Sequence, residues 1–300
     1  MRIRRNGAVR IREIEARTIL VRSKLPDADY VVNPYTGCEF GCLYCYASFM
    51  GRFVGESARA WGDYVYVKTN AVPLLEGELR RWSPRRRRAS LLLSSVTDPY
   101  HGVETRYRLT RGILTALARE RYPGVVSILT KSPLVLRDVD LLQGIPRAEV
   151  GMTVTTTDDT LSRFLEVRAP LASRRLSTLD TLHARGITTY AFVGPLLPHF
   201  RYQPHLLETL FERLAATGIG SLYVEHLNLK PYIRERLWHA LRDEPAEVRE
   251  VYGGASSDAH RQALDALVNE LVGRHGLKLR LAGVLEHGAE KRQVVSSPRP

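Results

Sequence analysis

The sequence predicts an α/β fold: a parallel sheet with helices outside it, curled by right-handed crossovers into a full or partial barrel. Three observations lead there. From residue 30 onward, short apolar runs alternate with longer amphipathic stretches at least six times. The apolar runs are rich in Val, Ile, Leu and Tyr and short enough for buried strands. With 300 residues and 44% hydrophobic content, the chain can fill a core of that size.

Residues 1–27 read as a basic lead-in, 28–230 as the barrel core, and 231–300 as a helical extension with a polar tail. Strands are predicted at 30–33 (YVVN), 64–68 (YVYVK), 90–95 (SLLLSS), 125–130 (VVSILT), 149–155 (EVGMTVT), 188–194 (TTYAFVG) and 221–227 (SLYVEHL). Between them, 73–82 opens with Pro73 and places Leu74, Leu75 and Leu79 on one stripe. Residues 106–121 repeat apolar positions at 109, 113, 114 and 117, and 171–185 and 203–217 follow the same rule. A short last strand is predicted at 277–281.

The mean hydropathy is −0.20, and no apolar run approaches the roughly 18 residues of a membrane span. The first twenty residues lack the apolar block of a secretory signal, and Glu13 and Glu15 speak against a transit peptide. The expected location is the cytoplasm, with no membrane partner. The net charge of +12 is uneven: residues 1–150 carry 25 Lys and Arg against 15 Asp and Glu, residues 151–300 carry 19 against 17. The excess includes a basic arm (Arg2, Arg4, Arg5, Arg10, Arg12) and the run Arg85–Arg88. Such a field suits a polyanion or an acidic protein.

Every cysteine lies in one short loop, as Cys38, Cys42 and Cys45. An odd, clustered set is no disulfide framework. The loop follows the first predicted strand, and Gly37 and Gly41 permit the turns that let three thiolates converge. Thiolates suit zinc or iron–sulfur centres. A closed zinc site wants four protein ligands, and nine histidines could supply the fourth. A four-iron cluster also wants four, and with three cysteines one iron stays open to a small molecule.

The segment GCEFGCLYCYA resembles the cluster loop of the radical S-adenosylmethionine (SAM) superfamily. The sequence also has NPYTGC, TDPY after the third strand and TK after the fourth, which is similar to the spore photoproduct lyase-like branch over residues 28–230. The resemblance implies a partial (β/α) barrel of the radical SAM type. It implies a [4Fe–4S] cluster on Cys38, Cys42 and Cys45 whose open iron chelates S-adenosylmethionine. An electron from the cluster would release a 5′-deoxyadenosyl radical that abstracts hydrogen from a substrate.

In an α/β barrel, reactive groups project from the C-terminal ends of strands. Lys68, Thr69 and Asn70 end the second predicted strand, and Ser94, Ser95, Thr97, Asp98, Tyr100, His101 and Glu104 follow the third. By the resemblance, Tyr44 packs near the adenine and Tyr46 meets its edge. Lys131 pairs with the SAM carboxylate, Thr153 or Thr155 hydrogen-bonds the same group or the ribose, and Val193 lies against the adenine. Glu166 and Arg168 are further candidates near the cofactor. Asp98 and Tyr100 are the expected catalytic residues. Spore photoproduct lyase uses a further cysteine as hydrogen donor, and no fourth cysteine exists here, so Tyr100 is the expected stand-in and thymine-dimer repair is doubtful. The expected partners are an acidic electron donor such as flavodoxin or ferredoxin and a substrate for which nucleic acid ranks only slightly above a peptide, protein or small molecule. The second reading is a non-catalytic zinc- or Fe–S-containing nucleic-acid-binding protein.

Overall fold

A computed structural model describes residues 8–286. Its strands are β1 (Arg10–Ile14), β2 (Leu20–Arg22), β3 (Tyr30–Val32), β4 (Tyr35–Thr36), β5 (Tyr64–Lys68), β6 (Leu91–Leu93), β7 (Val126–Thr130), β8 (Ala148–Thr153), β9 (Thr188–Leu196), β10 (Ser221–His226) and β11 (Lys278–Leu279). Its helices are α1 (Ala71–Arg80), α2 (Glu104–Tyr107), α3 (Leu109–Arg119), α4 (Val139–Gly144), α5 (Asp159–Glu166), α6 (Ala172–Ala184), α7 (Pro204–Ala216), α8 (Pro231–Leu241), α9 (Ala246–Gly253) and α10 (Asp258–Arg274). The first residues of the basic arm (Arg2, Arg4, Arg5) and the polar tail lie outside the described residues.

The main sheet has the order β11-β10-β9-β8-β7-β6-β3-β2, and β2 is its one antiparallel strand. It is the α/β, mostly parallel, partial-barrel architecture that the alternation predicts. Side chains alternate across it. One face carries the fully buried Leu91, Leu93, Val126, Ile128, Val150, Met152, Ala191, Val193 and Leu222. The other carries the register partners Thr153 and Phe192, with Tyr223 opposite Phe192 on β10. The helices give their apolar stripes to the same core, for example Ile113, Leu114 and Leu117 of α3 and Leu207, Leu210, Phe211 and Leu214 of α7.

Three expectations are corrected. The second predicted strand, β5, forms but leaves the barrel for a small sheet of order β1-β5-β4, and β3 pairs with β6 instead. In that small sheet Tyr64 and Tyr66 of β5 pack edge to face, and Trp61, just before the strand, packs on Tyr64, with centroids 6.0 and 6.2 Å apart. Lys68 and Asn70 therefore serve structure, Lys68 Nζ donating to the Asn33 carbonyl at 2.7 Å and Asn70 bonding both backbone groups of Ala16 at 2.9 Å. Residues 10–14 and 20–22 are strands within what reads as a lead-in. The helix expected over 106–121 is broken at Arg108, whose φ of 52° cannot continue α2 into α3.

Candidate metal centre

The cysteine loop leaves β4, which is pinned to β5 with Tyr35 opposite Val67 and Thr36 opposite Tyr66. Gly37 has φ 91°, and a Cβ there would meet the Tyr64 carbonyl oxygen at 2.5 Å. Gly41 turns again with φ 64°. These two turns fold the loop on itself, which only glycine allows at so little strain.

The rest of the molecule then grips the loop's backbone. Thr97 Oγ1 donates to the Gly37 carbonyl at 2.6 Å, and the Arg168 amide to the Phe40 carbonyl at 3.0 Å. The Leu43 amide donates to the Leu165 carbonyl at 2.8 Å. Arg236 Nη2 on α8 donates to the carbonyls of Cys42 at 2.9 Å and Gly41 at 3.3 Å. The Tyr232 hydroxyl reaches the Tyr46 carbonyl at 3.2 Å, and the Tyr46 hydroxyl bonds the Ser95 carbonyl.

Cys38 and Cys42 are buried and Cys45 is half-buried. All three pairs of sulfurs lie close enough to feel one another's charge. Burial pushes the Cys42 thiol up to about 12, with Lys131 pulling against it. Burial also raises Cys38, helped by Asp98, and raises Cys45, opposed by Arg236 and Lys131. The free thiols hold their protons, so taking up a metal must release them.

Lys131, at the end of β7, joins the same neighbourhood. Its Nζ stands 3.9 Å from Glu166 Oε1 and 5.7 Å from the centre of the Tyr44 ring. Burial works against its charge, but negative charge at Cys42, in its thiolate form, and at Glu166 outweighs burial and raises its pKa. Glu166 is fully buried and accepts bonds from the Tyr44 hydroxyl, Ser162 Oγ (2.9 Å) and Arg175. Burial pushes the Glu166 carboxyl up, yet Arg175 and Lys131 hold it below the usual carboxylate range. Arg175 also donates to the Thr153 carbonyl at 3.1 Å, so one guanidinium ties β8 to this network.

Of the residues singled out in the sequence, Cys38, Cys42, Cys45, Tyr44, Tyr46, Lys131 and Glu166 come together. Thr155 is buried, and its Oγ1 has no hydrogen-bond partner among the described residues. Thr153 is buried one strand from Lys131. Arg168 turns away to the Gly62 carbonyl and Asp63. Val193 is fully buried on the face opposite Phe192, and Phe192 is the side chain that shares Thr153's face.

Asp98 lies near Cys38 but is fully engaged. It accepts from the Tyr100 amide (2.9 Å), Thr130 Oγ1 (2.7 Å) and the Lys131 amide (2.8 Å), so it ties the ends of β6 and β7 together. Tyr100 is 1% exposed, and its ring lies under Arg137 at 5.9 Å. Glu104 is likewise buried, bonded by Tyr35, Arg137 and the Thr110 amide. Arg175, Arg236 and Phe192 escaped sequence reasoning. The two arginines had a signal: each interrupts an apolar helical stripe, beside Ala172, Leu176 and Leu179 on α6, and beside Ile233, Leu237 and Ala240 on α8.

Among the described residues, no group of three or more His, Cys, Asp or Glu is arranged to hold one metal ion. The donor set is three thiols and no imidazole, which fits a sulfide-bridged cluster that spreads its ligands over several irons better than a single zinc. A buried hydroxyl left without a partner at the end of β8 fits a ligand that brings its own polar atoms. No helix of the described residues is long and apolar enough to cross a membrane.

The chain is similar to known proteins in sequence and in fold. An uncharacterized protein of Methanocaldococcus jannaschii is 32% identical over 266 residues, covering 89% of this chain and 95% of that protein. An uncharacterized protein of Mycobacterium tuberculosis is 33% identical over 278 residues, covering 87% of this chain and 79% of that one. In fold, the chain is similar to spore photoproduct lyase complexed with dinucleoside spore photoproduct (TM-score 0.68, 15% identity, 90% of this chain and 81% of that chain). A cysteine-to-serine mutant of that lyase gives a TM-score of 0.70 at 16% identity with the same coverage. The sequence model of the Radical SAM superfamily matches residues 32–210, from the last residue of β3 through the cysteine loop and into α7. The chain belongs to the radical SAM superfamily and is a radical SAM enzyme.

Proposed function

We propose that Cys38, Cys42 and Cys45 hold a [4Fe–4S] cluster that leaves one iron for S-adenosylmethionine. When bound, the cluster supplies the electron that splits S-adenosylmethionine into methionine and a 5′-deoxyadenosyl radical able to take a hydrogen atom from a substrate. The observation that carries this reading is the meeting of the loop's three thiols with Lys131, which follows β7, and its counter-charge Glu166, which ends α5.

In this reading Lys131 binds the carboxylate of S-adenosylmethionine, its ammonium kept charged by Glu166. Thr155 Oγ1 hydrogen-bonds a hydroxyl or carboxylate of the same molecule. Tyr44 and Tyr46 line the adenine side, each oriented by its hydroxyl bond. Phe192 takes the adenine contact in place of Val193. Asp98 is a positioning residue that sets Lys131 through its backbone, and the hydrogen donor to the product radical is a group other than Tyr100, whose burial argues against contact with substrate.

For the substrate we infer a nucleic acid. The net charge of +12 supports it, as does likeness in fold to a lyase whose complex holds a dinucleoside spore photoproduct. The run Arg85–Arg88 contributes little. Arg86 stacks on Trp82 and Tyr30, Arg87 pairs with Glu120, and the run precedes β6, at the end of the sheet away from the thiols. An acidic protein such as flavodoxin or ferredoxin is the proposed electron donor, drawn by the same charge.

The test is anaerobic reconstitution with iron and sulfide, reduction by dithionite and addition of S-adenosylmethionine. We expect 5′-deoxyadenosine from the wild-type chain and none from Cys42→Ala. A protein that instead holds stoichiometric zinc and yields none would support a non-catalytic nucleic-acid-binding role. DNA or RNA binding that is absent at low ionic strength would remove the substrate proposal and leave the radical chemistry standing.

A further inference from the structure

The family match ends at residue 210, before α8 begins at Pro231. Yet two side chains of α8 bond the backbone of the cysteine loop. Arg236 is 6% exposed and lies 194 residues from Cys42 in sequence. Its Nη2 donates to the carbonyls of Gly41 and Cys42, at 3.3 and 2.9 Å. Four residues earlier, one helical turn away, the Tyr232 hydroxyl donates to the Tyr46 carbonyl at 3.2 Å. The two side chains therefore grip the loop on both sides of Cys42 and Cys45.

Gly41 sits in a left-handed turn, so its carbonyl joins no helix or strand ladder, and a buried carbonyl without a donor is costly. The Cys42 carbonyl closes a turn by accepting the Cys45 amide at 3.2 Å, and Arg236 adds a second donor that ties this turn to Gly41. Arginine suits the task because its fork of donors is rigid and its charge permanent. That charge also lies near the Cys45 sulfur.

We propose that Arg236, assisted by Tyr232, is a positioning residue that holds the loop in its ligating shape and tunes the affinity and reduction potential of the group its thiols carry. This rests on the cluster reading above. Reduction adds negative charge at the thiols, and a fixed cation beside them favours it; hydrogen bonds and net charge around the sulfurs are the recognised levers on such potentials. The C-terminal extension is thus part of the metal centre.

The experiment compares reconstituted wild-type, Arg236→Gln, Arg236→Lys and Tyr232→Phe proteins. The readouts are iron and sulfide per chain, iron retained under a chelator, the midpoint potential from an EPR-monitored titration, and a thermal melt. Arg236→Gln is expected to shift the reduced-to-oxidised ratio at fixed potential about tenfold toward the oxidised form, about 59 mV for one electron. It is also expected to lose iron several-fold faster. Arg236→Lys keeps the charge and should show the smaller potential shift, with iron loss between the other two. Tyr232→Phe should speed iron loss only slightly.

A folded Arg236→Gln protein with wild-type iron retention and potential overturns the proposal. Where that variant fails to melt cooperatively, Arg236→Lys decides, and wild-type values for both readouts overturn it. Failure of the wild-type chain itself to take up iron and sulfide overturns the cluster reading instead.

Discussion

At the N-terminal end of the barrel strands, Arg280 grips Glu149 through bonds of 3.0 and 2.9 Å and lies on the rings of Tyr190 and Tyr223, 4.4 and 5.1 Å from their centres. At the C-terminal end, Arg175 is buried against Glu166, which also receives Tyr44, Ser162 and Lys131. Both ends hold an Arg–Glu pair, part-exposed at Arg280 and fully buried at Arg175, and the surroundings differ. Around Arg280 the polar groups close on each other, with Tyr190 also bonded to Ser127 at 3.0 Å. Around Arg175 the network leaves unfinished valences: three thiols, the Thr155 hydroxyl and a lysine whose nearest carboxylate is 3.9 Å away. One end seals the barrel. The other is built to receive something.

The comparison breaks most visibly at Arg175. Arg175→Met strands a buried carboxylate and should cost about 3–5 kcal/mol in denaturant unfolding, because the remaining charge loses its partner. A loss below about 1 kcal/mol would mean that the pair is no more than a solvated surface contact.

The next largest effect is on pH. His101 is fully buried against the Tyr35 ring, at 4.6 Å, and neither ring nitrogen has a hydrogen-bond partner among the described residues. Burial lowers its pKa from 6.5 to about 3. The unfolded chain therefore takes up a proton below about 6.5 that the folded chain refuses, and stability falls as pH drops from there toward 3. Between about pH 7 and about pH 4.5, the wild type should lose roughly 2–3 kcal/mol more than His101→Leu. Parallel pH profiles of the two proteins would contradict a neutral buried imidazole.

At the sealed end, Arg280→Met should cost only about 1–2 kcal/mol, from a part-exposed ion pair and two ring contacts, and should leave 5′-deoxyadenosine formation unchanged. Impaired formation would make that end part of the catalytic machinery. The smallest effect sharpens the contrast most. Thr155→Val should raise the stability of the free protein by about 1 kcal/mol, since it removes an unsatisfied hydroxyl. It should weaken S-adenosylmethionine binding roughly three- to tenfold by isothermal titration. Unchanged binding with lower stability would take Thr155 out of the site.

Much of this site is legible in the linear sequence because its parts are local. Cys38, Cys42 and Cys45 share one loop, Gly37 and Gly41 announce its turns, and Lys131 and Thr153 stand at the ends of recognisable strands. Asp98 shows the limit. Its position beside Pro99 suggests either chemistry or a turn, and only its three bonds, two of them to β7 and the residue after it, show that it ties β6 to β7. Tyr100 is similar, since nothing in its neighbours predicts that the ring is buried beneath Arg137.

The sequence by itself determined the alternating elements, the parallel sheet and the three-thiol loop, because each depends on periodicity or spacing within a few residues. The tertiary structure alone decided that β5 leaves the barrel, that Glu166 and Arg175 form a buried pair, and that Arg236 reaches back 194 residues to the loop. Strand patterns specify a strand but not its neighbour, and a charged residue on an apolar stripe signals burial without naming its partner. Those choices belong to packing across the whole chain, where a buried charge persists only if distant segments bring it an acceptor.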